Sequence, residues 1–225
     1  MKQIARAPVY AIGPLVRKGE AGDKSEFIRW LDGKPKESVV YVSFGSGGTI
    51  SAQQTIELAW GLELSNQRFI WVVRPPIEDD TSASFLDRFL DRTRETGFVV
   101  PMWAPQEEIL SHHSIGGFVC HCGWNSSLES IVNGVPIIAW PLYAEQRMNA
   151  TMLAKSLVIA VQPRVMPDDY VVRRDEIAKM VRRVMVEGVA IKTRVNELKA
   201  SGNKALKEGG SSYSALSQVI KKLVT

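Results

Sequence analysis

Apolar positions along this chain alternate between two patterns. Short, nearly continuous apolar runs read as strands buried on both faces: Val39 to Phe44, Arg68 to Val73, Phe98 to Val100, Gly117 to His121, Val135 to Trp140 and Val158 to Val161. Between them lie stretches with helical spacing of apolar residues: Ser51 to Ser65, Ser84 to Glu95, Pro105 to Ser111, Asn125 to Asn133 and Ala144 to Leu157. The repeated order strand then helix predicts a parallel sheet with helices on both faces. Right-handed crossovers make that a doubly wound, Rossmann-like α/β domain. Beyond Pro167 the rhythm ends, and Arg173 to Glu187, Ala190 to Glu208 and Tyr213 to Val224 read as three helices with no further strand. They are expected to cover the sheet or to pack against something outside the chain. Ahead of the first strand, Pro8, Gly13, Pro14, Gly19, Gly22, Gly33 and Pro35 punctuate a linker that holds one short helix capped by Ser25. The predicted division is therefore a linker over 1–38, a Rossmann-like core over 39–163 and completing helices over 164–225.

Composition narrows the class. The chain has 225 residues, is 45% hydrophobic and 23% charged, and is an ordinary globular sequence on those figures. No apolar run reaches the roughly 18 residues that a membrane span needs. The first residues lack the apolar core of a signal peptide. Cys120 and Cys122 stand too close for a useful bridge, so a reducing cytoplasm is the expected location. The net charge of +4 is uneven: residues 164–225 carry 13 Lys/Arg against 7 Asp/Glu, or +6, which leaves −2 for residues 1–163. Glu187, Glu197 and Glu208 interrupt the basic residues, so a solvated helix surface is expected rather than a nucleic-acid partner.

Candidate chemistry collects at one place. Doubly wound sheets bind ligands at the carboxyl ends of their strands. Gly45 and Ser46 follow the first strand, Trp103 the third, His121 ends the fourth, and Glu145 and Gln146 follow the fifth. In His121-Cys122-Gly123-Trp124-Asn125-Ser126-Ser127-Leu128-Glu129 a strand ends, glycine permits a sharp turn, and a helix begins. A helix N-terminus offers unpaired N–H groups and partial positive charge, which suits a phosphate. The same residues from Ser126 to Glu129 also fit a capping box, and this motif alone leaves anion binding and plain capping level. The Gly45-Ser46-Gly47-Gly48 turn, where a ligand can approach the backbone, tilts the balance toward a ligand. Isoleucine at position 50 breaks the dinucleotide fingerprint, no Gly-Lys-Ser/Thr follows, and the second strand ends in Arg74 rather than an acidic residue. Nicotinamide chemistry is thereby disfavoured. With three histidines and no metal-ligand spacing around Cys120-His121-Cys122, no metal site is expected.

Trp103-Ala104-Pro105-Gln106, His121 to Ser126, Glu129, Pro141 and Glu145-Gln146 together resemble the signature box of plant secondary-product UDP-glycosyltransferases. From Trp103 to Gln146 the segment is 44 residues long, the length of that box. Pro8 to Leu15 and Tyr41 to Ser46 also resemble that family, and Trp140 to Ala150 resembles its phenolic-glucoside, hydroquinone glucosyltransferase-like branch. The resemblance implies the donor-binding half of a GT-B enzyme, in which two Rossmann-like domains face each other across a cleft. It implies that Trp103 stacks on uracil, that the Ala104 backbone and Gln106 hold the nucleoside, and that Glu129 accepts from both ribose hydroxyls. Ser46, His121, Asn125 and Ser126 would take the diphosphate, and Trp124, Glu145 and Gln146 the sugar. Glutamate at position 145 replaces the aspartate most members carry, and Gln146 points to glucose over galactose.

The resemblance also defines what lies elsewhere. The family's catalytic base is a histidine, held by an aspartate, in an N-terminal domain that also shapes the acceptor pocket. None of His112, His113 and His121 occupies that position. The expectation is a chain that binds UDP-glucose, uses no cofactor and transfers nothing alone; the competing expectation is a non-catalytic UDP-sugar-binding module. Leu216, Val219, Ile220, Leu223 and Val224 form an apolar stripe on the last helix that would meet the absent domain or self-associate.

Overall fold

A computed structural model describes residues 8–16, 25–74, 80–164 and 171–224. The turn glycines Gly19 and Gly22 and the break at Pro167 lie outside the described residues. Six parallel strands form one sheet: β1 (Val39–Ser43), β2 (Arg68–Val73), β3 (Gly97–Pro101), β4 (Ile115–Cys120), β5 (Ile137–Ala139) and β6 (Ala160–Val161). Their spatial order is β3-β2-β1-β4-β5-β6, so the order reverses between β1 and β4. That reversal opens a crevice above the carboxyl ends of β1 and β4.

All five residues of β1 are buried, as a central strand covered on both faces requires. Alternation along the strands divides their side chains between two cores. Val39, Tyr41, Ile70, Phe118, Cys120 and Ile137 face one; Val40, Val42, Phe69, Trp71, Val119 and Ile138 face the other. Tyr41 stacks on Phe118 at 4.9 Å in the first core. Each such side chain contributes about 1.5–3 kcal/mol by leaving water.

The helices are α1 (Glu26–Asp32), α2 (Ala52–Ser65), α3 (Asp80–Thr93), α4 (Gln106–Ser111), α5 (Trp124–Asn133), α6 (Gln146–Thr151), α7 (Arg174–Met185), α8 (Val189–Leu206) and α9 (Ser211–Val224). Several expected boundaries move. His121 lies one residue beyond β4 rather than ending it, and the 144–157 helix becomes α6 followed by a π turn over Met152–Ser156. Ser25 occupies the N-cap of α1, but its hydroxyl makes no capping bond and is buried without a partner. Ser51 does cap α2, accepting from the Gln54 N–H.

The C-terminal helices take three different positions. Ile177, Met180, Val181, Val184 and Met185 of α7 close the second core against α2 and the sheet. Val195 and Leu198 of α8 join the first core beside α5. Helix α9 packs on α8, and Leu216, Ile220 and Leu223 remain exposed. The strap over 8–16 crosses these two helices: Gly13 N–H donates to Ser212 Oγ at 3.1 Å, and the Lys222 ammonium lies 5.3 Å from the Tyr10 ring centre.

A cleft at the carboxyl edge of the sheet

Four turns rise above the carboxyl edge, and each holds one left-handed residue. These are Gly45 after β1, Met102 after β3, Cys122 after β4 and Ala144 after β5. Three of the four are not glycine, a conformation that costs of order 1–3 kcal/mol each and persists only where the surroundings hold it. The holding contacts are visible. Met102 N–H donates to Val73 O at 2.9 Å, Asn149 Nδ2 to Cys122 O at 3.0 Å, and the Gly45 N–H lies 3.4 Å from Ser43 Oγ.

A cleft of about 330 Å³ lies among these turns. Eight of the eleven residues singled out in the sequence line it: Ser46, Trp103, Ala104, Gln106, His121, Trp124, Asn125 and Ser126. Trp103 is 67% exposed and Trp124 50% exposed, far from the packed interior position most tryptophans occupy. Ala104 is buried, so only its backbone is placed to serve a ligand.

His121 is wedged between two glycines. A Cβ on Gly45 would stand 2.6 Å from its Cε1, and one on Gly123 would stand 2.5 Å from its Nε2. Only glycine at both positions leaves the imidazole room. Its Nδ1 is buried and has no hydrogen-bond partner. Burial pushes the His121 pKa below the ordinary histidine value, and the Glu145 carboxylate pulls the other way. His121 thus lines the cleft with its charged form disfavoured by burial and its inner ring nitrogen unmet.

Beside it, α5 begins with Gly123 at the N-cap, and no side chain caps it. The capping-box expectation for Ser126 to Glu129 fails, because Ser126 lies inside the helix rather than ahead of it. Both residues are instead joined to α4. Gln106 Nε2 donates to Ser126 Oγ at 2.8 Å and to Glu129 Oε2 at 2.6 Å. That network fixes the Gln106 amide so that its oxygen, an acceptor, is the end left for a ligand. It also attaches Glu129 to the cleft, although the residue does not line it.

Glu145 and Gln146 stand apart from the cleft wall. Glu145 is exposed at the start of α6 and reaches the site through its field on His121. Gln146 is buried, and its oxygen accepts from the Leu142 and Tyr143 N–H groups at 2.8 and 3.1 Å. Only the amide nitrogen of Gln146 is not spent in that turn, which narrows the sugar contact implied for it to a donor. His112 and His113 lie at the opposite edge, ahead of β4, where His112 meets Asp32 and Ser114 at 3.2 and 2.9 Å.

Three further residues, to which sequence assigned no role in the site, tie its turns together. Arg74 donates from Nε to Met102 O at 3.1 Å and from Nη1 to Ser46 O. The Tyr143 hydroxyl lies against Gly47, and Asn149 anchors the Cys122 turn. Each bridges turns distant in sequence, a relation that only the strand order creates.

An uncapped helix start, an adjacent imidazole and an open indole thus meet at the switch point of a doubly wound α/β domain, the place where such sheets take ligands. Comparison with known proteins gives the family. The family described as "UDP-glucoronosyl and UDP-glucosyl transferase" matches residues 9–175. Anthocyanidin 3-O-glucosyltransferase 5 of Manihot esculenta is 56% identical over 96% of this chain and 48% of its own length. Hydroquinone glucosyltransferase of Rauvolfia serpentina is 47% identical over 95% of this chain and 49% of its own length. The crystal structure of TcCGT1 in complex with UDP superimposes with a TM-score of 0.90 at 50% identity, over 96% of this chain and 49% of that one. The chain belongs to the plant UDP-glycosyltransferases, and its sheet is that of one half of a GT-B enzyme. It spans about half the length of the curated relatives it matches. Among the described residues no helix is long and apolar enough to cross a membrane.

Proposed function

We propose that this chain is the donor-binding half of an inverting, metal-independent glycosyltransferase and that its cleft takes a UDP-sugar, UDP-glucose before UDP-galactose. The observation that carries the reading is the placement of His121, wedged between Gly45 and Gly123, beside the uncapped start of α5 and the exposed Trp103 on one cleft wall. The diphosphate lies against the first N–H groups of α5, with Asn125, Ser126, Ser46 and His121 supplying further donors. Uracil stacks on Trp103, worth about 1–3 kcal/mol. Its polar edge meets the Ala104 backbone and the Gln106 oxygen, and the ribose hydroxyls meet Glu129. Sugar hydroxyls reach Trp124, Glu145 and the amide nitrogen of Gln146. In the transition state charge develops on the departing UDP, and fixed N–H dipoles already aimed at it lower the barrier without a cofactor. That TcCGT1 was solved with UDP supports this assignment of the cleft.

Transfer needs a base to take the acceptor hydroxyl's proton. On this reading His121 serves the phosphate, and His112 sits at the far edge of the sheet beside Asp32. We therefore expect the 225-residue chain to bind donor without turnover, and an N-terminal acceptor domain supplied in trans to restore it. That domain would also cover the exposed stripe of α9, which otherwise self-associates. A cytoplasmic location goes with the reading.

Calorimetry with UDP, UDP-glucose, UDP-galactose and NAD tests it. UDP and UDP-glucose are expected to bind, NAD to fail, and Trp103→Ala to weaken UDP at least tenfold. An unchanged affinity in that variant removes the nucleoside from Trp103. Glucosylation of a phenol by the chain alone defeats the half-enzyme assignment.

A further inference from the structure

The geometry points to Arg74 as a positioning residue, a clamp across the top of β2 that holds the Ser46 turn and the Met102–Trp103 turn at a fixed separation and so sets the indole platform for the base. The inference rests on the uridine diphosphate reading of the cleft and adds to it a residue with no assigned role. Strand order explains the placement: β2 lies between β1 and β3, so a residue just beyond β2 stands between the turns that follow its two neighbours. Arg74 uses that place. Its Nε donates to the Met102 carbonyl at 3.1 Å, its Nη1 donates to the Ser46 carbonyl, and its side chain lines the cleft.

Met102 needs such a clamp. Its φ is +65°, a left-handed backbone that methionine rarely adopts, and its side chain is 58% exposed and offers little packing to hold it. The peptide groups on either side of that strained residue are instead tied by consecutive residues of one strand end. The Met102 N–H donates to Val73 O at 2.9 Å, and the Met102 carbonyl accepts from Arg74. Trp103 follows immediately, exposed and free of ring contacts among the described aromatic pairs. Its orientation therefore comes from its backbone, which the Trp103 N–H bond to Pro101 O at 2.7 Å closes into a turn and which Arg74 ties to β2 and to the Ser46 turn.

A guanidinium is suited to this task and an ammonium is not. The planar fork donates in two fixed directions, whereas lysine presents one compact charge on a flexible stem. Lysine would keep the positive charge and lose the double grip. This separates a positioning role from a purely electrostatic one.

The test uses the full 225-residue chain as wild type, Arg74→Lys, Arg74→Gln and Trp103→Ala, with uridine and UDP as ligands. Both Arg74 variants are expected to weaken uridine and UDP alike, by about fivefold or more, and amide exchange at Met102 and Trp103 should quicken at least tenfold without ligand. Weakening of UDP alone, restored by lysine, overturns the proposal in favour of a charge contact to the diphosphate. Unchanged exchange at Met102 and Trp103 overturns it outright. If Trp103→Ala leaves uridine binding intact, the nucleotide reading fails. If Trp103→Ala weakens uridine and the Arg74 variants do not, only the clamp fails.

Discussion

Two regions of this molecule bury polar groups, and they do so on opposite terms. Between α2 and α7 the buried polar groups Gln54 and Glu57 find their partners within the protein. The Gln54 amide both donates to Val172 O at 3.0 Å and accepts from Val172 N–H at 2.8 Å. Glu57, with its side chain 7% exposed, meets Arg174 at 2.5 Å and also accepts from the Arg174 N–H at 2.7 Å. At the carboxyl edge the accounting stays open: His121 Nδ1 has no partner, α5 has no cap, and three non-glycine residues hold left-handed backbone. The closed region holds α7 onto the sheet. The open region leaves these groups unmet by the protein, as the proposed donor site requires, and the cost is carried by the rest of the fold.

This contrast can be broken by experiment. The largest effect should come from the closed side. Glu57→Ala removes one partner of a mostly buried ion pair, and the loss in unfolding free energy should be about 2–3 kcal/mol once the partial exposure of Arg174 is allowed for. Urea unfolding measures it, and UDP affinity should stay within twofold of wild type. A large drop in affinity would mean that the two regions are coupled.

Next comes the open side. Glu129→Ala should weaken UDP about tenfold, which is about 1.4 kcal/mol, and should erase any preference for UDP over 2′-deoxy-UDP. Stability should barely move, because among the described residues that carboxylate is held by the single bond from Gln106. A preserved preference for the ribose would remove Glu129 from the sugar edge.

Strain gives a smaller and oppositely signed effect. Met102→Gly should raise stability by about 0.5–1 kcal/mol, since glycine accepts a positive φ without penalty. The same substitution should loosen the Trp103 turn and weaken UDP. Thermal unfolding and calorimetry on one sample read both. If the variant gains stability and loses no affinity, the strain at Met102 has no part in binding.

The smallest effect is one of pH. Hydrogen bonding from Arg174 holds the Glu57 carboxyl below the ordinary glutamate value, against the upward push of burial. A lowered pKa in the folded state contributes stability above the unfolded value, near 4.3, and that contribution fades as pH falls through the folded value. Unfolding free energy followed from pH 6 to pH 3 should therefore drop less steeply in Glu57→Gln than in wild type. An identical slope would show that other carboxylates carry the acid limb.

Much of this was legible beforehand, for reasons that are local. A parallel strand covered on both faces has to be nearly all apolar, so β1, β2 and β4 announce themselves, and the helices between them carry their own spacing. The site residues that sit in turns right after strands were visible as well, because a strand end is a sequence feature. What escaped was of another kind. The Ser126 to Glu129 box looked like a cap, yet Gly123 begins the helix and both residues bond to Gln106 twenty or more positions away. Gln146 read as a sugar ligand, yet its oxygen is spent on its own turn.

Sequence alone indicated the class of fold, the edge of the sheet where the cleft lies and the residue types that gather there, because periodicity, turn chemistry and strand ends are properties of neighbours along the chain. Tertiary structure decided which of those residues face one cleft and what each already holds. It placed Arg74 between two turns, wedged His121 between Gly45 and Gly123, and left α5 uncapped. Those relations depend on strand order and on contacts between residues far apart in the chain, where spacing carries no information.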